Sequence, residues 1–304
     1  MAKLMKGETF KDALKLVHGK PRFQYPIHVE GKADEIRCRV VRERGDFKGL
    51  GIRYESYAEK PLHNLDFLSA RFLAFFQRHP EHTELDVGIL VNGNFNDSYR
   101  WTRSSKGIPG EKLDKKTGRV APALFEQQVH VILFDLPNIT LPFTARKVLR
   151  GEACSHLLQC GVPCSVPAGT LCFNEDQVWE VYRDFRALGL EGAMAKTLDH
   201  HYARARTYDW MKIKPSADFD GRIVKFNEAI SEGGTALGRV GSIDVVCEDG
   251  STASPAGINH TLGRELWENQ EKYLGQWIEF NCMERDRKGG YRHPIYQRFR
   301  EDKV

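Results

Sequence analysis

Long apolar runs are missing from this sequence. Of its 304 residues 41% are hydrophobic, yet no run approaches the roughly 18–20 residues that a membrane-crossing helix needs, which excludes a transmembrane role. The first twenty residues, MAKLMKGETFKDALKLVHGK, have no apolar stretch and no small-residue cleavage site, so no secretory signal is expected. Cysteine is sparse: seven residues, odd in number and irregularly spaced. A disulfide framework is therefore not expected, and reduced thiols in the cytoplasm are. The one tight pair, Cys160 and Cys164, has no second pair to complete a zinc site. Internal repeats and low-complexity tracts are absent. Net charge is also small, at +4, which permits nucleic-acid binding without arguing for it.

What is present is unevenly distributed. Between Arg100 and Arg119 there are seven Lys/Arg against two Asp/Glu, and between Arg285 and Lys303 seven against three. From Asp218 onward the totals are 12 basic and 15 acidic, so the basic residues of that region gather at its end. Residues 9–18 have the pattern of a short amphipathic helix. Residues 36–57 read as two strands around a glycine-containing turn. In residues 63–78, Leu65, Leu68, Phe72 and Phe75 fall at helical spacing, so this aromatic stripe belongs to a core. LDVGILV and VHVILFDL read as buried strands, with residues 96–127 a long basic loop between them. Asn174 caps a helix that closes near Gly189, with Trp179 in its core face. His200-His201 reads as an exposed turn pair. After Pro215 the texture changes to short strands and one helix (LGRELWENQEKYL), which suggests a small barrel such as an OB-fold. The boundary falls at about residue 216.

Three segments carry candidate chemistry. In Glu30-Gly-Lys32-Ala-Asp34-Glu35-Ile-Arg37 a lysine lies among acidic residues between two strands. Glu191-Gly-Ala-Met-Ala-Lys196 follows a helix, and Gly192 allows close backbone approach to a ligand. In Trp210-Met-Lys212-Ile-Lys214-Pro215, a strand would put Lys212 and Lys214 on one face. Two such ammonium groups repel unless an anion lies between them, so a solvated edge and a phosphate site are both open.

In this order the segments resemble the covalent nucleotidyltransferases, specifically small phage-type ATP-dependent DNA ligases. Lys32-Ala-Asp34-Glu35 is similar to the nucleophile motif K-x-D-G, preceded by Glu30 and followed by Arg37. Glu191 to Lys196 matches E-G-x-x-x-K, and Trp210 to Lys214 the paired-lysine motif. Val131 to Asp135 resembles the strand that carries an aromatic, here Phe134, near adenine. Arg300-Glu-Asp302-Lys303 matches R-x-D-K. The resemblance runs from about residue 25 to the C-terminus.

The resemblance implies an α+β architecture. Residues 1–216 would form an adenylation domain of antiparallel sheets and helices, and residues 217–304 an OB-fold β-barrel. It implies ATP and Mg²⁺ as cofactors and nicked duplex DNA as partner, in a monomeric cytoplasmic protein (host cytoplasm if phage-encoded). Lys32 would attack the α-phosphorus and become lysyl-AMP. The AMP would pass to the 5′-phosphate of a nick, and the 3′-hydroxyl would displace it. Asp34 would orient the lysine or a metal ion, and Lys212 and Lys214 would hold the α-phosphate and depress the pKa of Lys32, as would burial. Glu191 would help hold Mg²⁺, and Phe134 would stack on adenine. Glu30, Arg37, Lys196 and Trp210 complete the nucleotide site, and Arg300 and Lys303 would meet pyrophosphate. Arg100, Arg103, Lys106, Lys115, Lys116 and Arg292 would contact DNA phosphates, giving sequence-independent, salt-sensitive binding.

The sequence departs from the pattern at three positions. Glu35 replaces the glycine of K-x-D-G. Gly88 stands where D-G-E has its glutamate, which in the family contacts the ribose and can take part in metal binding. Tyr57 stands where S-R-x-x-K has its arginine. Glu35 or Glu84 is a candidate to supply the missing carboxylate. The competing readings are an RNA ligase, a capping guanylyltransferase using GTP, and a catalytically weakened nick-binding protein.

Overall fold

The computed structural model describes residues 4–43, 51–113, 120–215, 217–283 and 290–303. The chain divides into two compact units, Met1–Ile213 and Lys214–Val304. In chain order the first contains β1 (Lys6–Thr9), α1 (Phe10–Ala13), β2 (Ile27–Lys32), β3 (Ile36–Arg42), β4 (Ile52–Glu55), α2 (Ser69–Arg78), β5 (Glu84–Val91), α3 (Phe95–Arg103), β6 (Lys112–Leu113), β7 (Val120–Ala121), β8 (Val129–Asp135), α4 (Phe143–Gln159), β9 (Cys164–Ser165), β10 (Gly169–Cys172), α5 (Glu175–Ala187), β11 (Gly192–Thr197) and β12 (Arg206–Ile213). The second contains β13 (Ala217–Ile230), β14 (Ala236–Cys247), β15 (Thr252–Ala253), α6 (His260–Glu268), α7 (Gln270–Tyr273), β16 (Trp277–Cys282) and β17 (Ile295–Phe299).

Two five-stranded sheets organise the first unit, in orders β1-β12-β11-β2-β10 and β4-β3-β5-β8-β9. Most pairs are antiparallel, as expected, but β1–β12 and β8–β9 are parallel, a correction confined to two edges. Alternation along each strand separates an apolar face from a polar one. Ile27 and Val29 of β2, Ala193 and Ala195 of β11, and Met211 and Ile213 of β12 join Phe10, Val178 and Phe185 in one core. His28, Glu30, Lys32, Met194, Lys196, Trp210 and Lys212 then share the opposite face, because Glu30 is in register with Met194, and Met194 with Lys212. The second sheet repeats the arrangement. Leu85, Val87, Ile89 and Val91 pack with Phe72, Phe75 and Phe76 of α2 in a second core, where each buried aromatic ring contributes about 2–3 kcal/mol. Asp86 and Gly88 of β5 and Phe134 of β8 lie on the other face. The polar faces of the two sheets enclose the candidate site.

Several local expectations are revised. Only Phe10–Ala13 of the expected 9–18 helix is helical, and Thr9, at the end of β1, caps it through its side chain. The basic 96–127 segment is not all loop. Asn94 accepts a hydrogen bond from Asp97 N at 2.9 Å and starts α3, which buries Trp101 completely. His200 is buried rather than exposed, for a reason given below. Residues 44–50 of the expected glycine-containing turn lie outside the described residues.

In the second unit the strands form one antiparallel sheet, β15-β14-β13-β16-β17, over a core that includes Ile223, Val240, Ile243, Leu266, Ile278 and Phe280. Past β15, Ala256 bridges to Ser242 of β14 and to Ile295 of β17, which lie on opposite sides of β13 in that order.

Candidate active site

Lys32 closes β2. Its ammonium donates to Glu191, which immediately precedes β11, and to the Ala33 carbonyl at 3.3 Å, and it lies 3.8 Å from Glu35. Burial acts to lower its pKa, but Glu35 and Glu191, with a smaller contribution from Asp34, outweigh it, and the net shift is upward from 10.5. The expected depression is therefore reversed: two close carboxylates stabilise the charged amine more than burial destabilises it.

Glu30 lies two residues earlier on the same face. It accepts from Arg150 at 2.6 Å and faces Lys196 at 2.7 Å, and all three side chains are 2–3% exposed. Burial pushes the Glu30 carboxyl up, yet Lys196 and Arg150 overcome it and bring the group down to about 2. With two cations on one carboxylate, Lys196 carries the surplus charge, and burial lowers its pKa despite Glu30, with Arg150 acting the same way. Its ammonium lies 4.2 Å from the centre of the Trp210 ring and 4.9 Å from that of Phe143. Both rings offer a negative face to the cation.

The surrounding bonds hold this arrangement. Arg37 makes a two-pronged contact with Asp86 at 2.9 and 2.5 Å, and Tyr202 donates to the same carboxylate at 2.7 Å. Arg146 of α4 grips Asp135 at 2.8 and 3.0 Å and reaches the His200 carbonyl at 3.0 Å. The His200 imidazole accepts from Trp210 Nε1 at 3.0 Å, and its Nδ1 lies 2.7 Å from the Thr197 carbonyl. Burial brings its pKa to about 4, so it is neutral near pH 7. A neutral ring with an Nδ1 proton satisfies both bonds, which explains its place in the interior.

The sequence did not single out α4, Arg146 or Arg150. Arg150 also donates to the Phe134 carbonyl at 2.9 Å, so it fixes Glu30 and the strand of the aromatic together. Phe134 itself is half-buried beside Gly88. Glu84, the other candidate for the missing carboxylate, is bound by Arg39 and Arg204. Tyr57 is exposed, with the Lys6 ammonium 4.5 Å from its ring centre.

The remaining predicted residues fall elsewhere. Lys214 follows β12 and belongs to the second unit. There, Asp220 of β13 accepts from Arg300 at 2.7 and 2.9 Å and from Lys303 at 2.7 Å, and Asp302 pairs Arg300 while Glu248 pairs Lys303. In the first unit Arg100 is committed internally, donating to the Gly110 and Pro122 carbonyls at 3.1 and 3.2 Å. Arg103 and Lys106 are exposed, and Arg100 and Arg103 line a cleft with Tyr99 and Lys112. Arg292 precedes β17, and its carbonyl accepts from Met283 N at 3.1 Å. Lys115 and Lys116 lie outside the described residues.

No protein-family model matches the chain. Its fold is that of solved ligase structures. It superposes on Pmar-Lig (PreS3) with a TM-score of 0.71 and 20% identity, over 97% of this chain and 67% of that one. A Lig E DNA ligase, described as binding DNA with a minimal scaffold, gives 0.65 and 16% over 98% of both chains. The ATP-dependent DNA ligase of bacteriophage T7 in complex with ATP gives 0.50 and 18%, again over 98% of both. At these identities the likeness establishes the shared mixed α and β fold.

Sequence likeness points further, to the ligases of phages. The DNA ligase of Enterobacteria phage T3 is 31% identical over 133 residues, which are 42% of this chain and 38% of the relative. That of phage T6 is 25% identical over 289 residues, 88% of this chain and 55% of the relative. The chain thus resembles phage-type ATP-dependent DNA ligases, and the match spans about two-fifths to just over half the length of these curated relatives.

Proposed function

We propose that the chain is an ATP-dependent DNA ligase that seals nicks through a lysyl-AMP on Lys32. One observation carries the reading: Lys32, Lys196 and Lys212 lie on one sheet face, with Glu191 on the Lys32 ammonium and Phe134 half-buried on the facing sheet. An amine, further cations and an aromatic ring suit the attack site, phosphates and base of a nucleotide. The likeness to phage ligases supports the same choice. Residues 1–216 act as the adenylation domain and 217–304 as an OB-fold. The Ala256 bridges to both β14 and β17 support a closing barrel.

In the first step Lys32 Nζ forms a bond to the α-phosphorus of ATP, the bond to pyrophosphate breaks, and Nζ gives up its proton. The pairing with Glu191 and Glu35 makes that proton loss part of the barrier, since only the neutral amine attacks. Lys212 and Lys214 offset the phosphate charge, and Phe134 stacks on adenine. Arg300 and Lys303 are the proposed pyrophosphate contacts, and Arg37 and Asp34 keep the nucleophile loop in place. Nucleotidyl transfer rests on such positioning and charge neutralisation.

The donors also suit Mg²⁺. Glu191 presents a carboxylate at Lys32, the oxygen donor that a hard ion takes, and phosphate oxygens and water would complete its shell. Among the described residues no group of three or more His, Cys, Asp or Glu could hold a metal alone. When bound, it would neutralise charge on the phosphates and on the departing pyrophosphate.

The test is intact mass after incubation with ATP and Mg²⁺, read beside the unincubated protein. One added AMP, absent from Lys32→Ala, is expected, followed by joining of a nicked duplex. A wild-type chain that is bare in both samples would refute the reading. Nick binding without an adduct would favour a weakened nick-binding protein.

A further inference from the structure

In the scheme above Glu35 only helps to hold Lys32 charged, and it makes no contact with the nucleotide. Its side chain is only 7% exposed, and its Oε2 is buried without a hydrogen-bond partner. The Lys32 ammonium, at 3.8 Å, is too far to supply one. A buried carboxylate oxygen left unpaired costs roughly 1–3 kcal/mol or more, which a folded protein retains where a ligand is to supply the partner.

The space beside it is specific. A Cβ built on Gly88 would lie 2.4 Å from Glu35 Cγ and 2.7 Å from Phe134 Cζ. Glu35 therefore fills the room that a side chain on β5 would take, and it does so between the nucleophile and the aromatic ring. Any longer residue at position 88 would expel it.

The chemistry of the missing partner follows from what a nucleotide offers here. A carboxylate oxygen needs a donor. The triphosphate is rich in acceptors and repels a carboxylate. If Lys32 attacks the α-phosphorus, the group bonded next to that phosphorus on the nucleoside side is the ribose, and its hydroxyls donate. We propose that Glu35 is the ribose-binding residue of this chain, accepting a hydrogen bond from a sugar hydroxyl of the bound nucleotide, with Gly88 kept empty to admit it. This rests on the nucleotidyltransferase reading. The two sequence departures, an extra glutamate at 35 and a missing one at 88, then form a single exchange of a carboxylate from strand to loop.

The test compares ATP with 2′,3′-dideoxy-ATP, which lacks both hydroxyls, in lysyl-AMP formation followed by intact mass. Wild type should need about tenfold or more higher concentration of the dideoxy nucleotide for half-maximal rate, the size of one charge-assisted hydrogen bond. In Glu35→Ala this ratio should fall to near one, with the loss on the ATP side. Glu35→Gln keeps the shape and a weaker acceptor, and its ratio should fall between the two. Should either folded variant keep the wild-type ratio, the assignment of Glu35 is overturned while the ligase reading stands. A wild-type chain that forms no adduct with either nucleotide overturns the reading and this inference with it.

Discussion

The candidate site holds two ion clusters of inverse composition. Around Glu30 one carboxylate meets two cations, Lys196 and Arg150; around Lys32 one cation meets two carboxylates, Glu191 and Glu35. The first is nearly sealed, with every side chain at 2–3% exposure, whereas Lys32 is 17% exposed. The first is also tied to the Phe134 carbonyl and packed against two aromatic rings, with Arg150 Nε its one buried atom left without a partner among the described residues. The second leaves an oxygen unpaired. Opposite surpluses on one sheet face teach that burying charge serves two ends here. On the proposed function, the positive surplus would stay fixed and offer a field for phosphate, and the negative surplus would hold the Lys32 amine charged until a nucleotide arrives.

The largest expected effect separates the clusters outright. Lys32→Ala should lose the AMP adduct completely yet unfold cooperatively, and Glu30→Gln should act chiefly on stability. Stranding Lys196 and Arg150 in the interior is expected to cost about 3–5 kcal/mol, read from urea unfolding. Equal stability losses in the two variants would erase the distinction.

Next comes pH. Because the folded pKa of Lys32 lies above 10.5, the attacking amine is scarce near neutrality. The adenylylation rate should rise about tenfold per pH unit from 6 to 9, without levelling. A plateau near pH 7 would mean that the amine is already neutral. The Glu30 cluster has the opposite signature. With its carboxyl lowered from 4.5 to about 2, it contributes stability that is complete above 4.5 and lost as pH falls through 2. Glu30→Gln should flatten that part of the acid-unfolding profile. If both profiles coincide, the lowered carboxyl is not Glu30.

The smallest effect concerns the outer surface. Exposed Arg103 and Lys106 are expected to contact DNA phosphates, so removing both should weaken nick binding severalfold at any sequence. It should also reduce the slope of log affinity against log salt by about 2. Arg100 is tied to two carbonyls, and Arg100→Ala should instead lower stability with less change in slope.

Much of this was legible in the sequence because it rests on local patterns. The alternation in Ile27–Lys32 puts Glu30 and Lys32 on one face, and the Asn174 cap and Gly189 bound α5 as expected, with Asn174 accepting from Gln177 N at 3.0 Å. The aromatic stripe of α2 is core as its spacing implies. What escaped has a common cause. Helix α4 buries Arg146 and Arg150, so its inner face is written in charged residues and carries no clean apolar period. Arg150 reaches Glu30 from 120 positions away, a pairing that only the tertiary fold creates. The raised pKa of Lys32 has a local and a distant cause: Glu35 is three positions away, whereas Glu191, which the fold brings to the same ammonium, lies 159 positions from it.

The glycine at 88 has a consequence for descent. A side chain there collides with Glu35 and Phe134 at 2.4 and 2.7 Å, and removing the glutamate alone empties the pocket of its carboxylate. Neither position can return by itself to the common ligase pattern without passing through a damaged intermediate. On the proposed role of Glu35 the two sites form one epistatic pair, so lineages carrying this exchange should keep or lose both changes together.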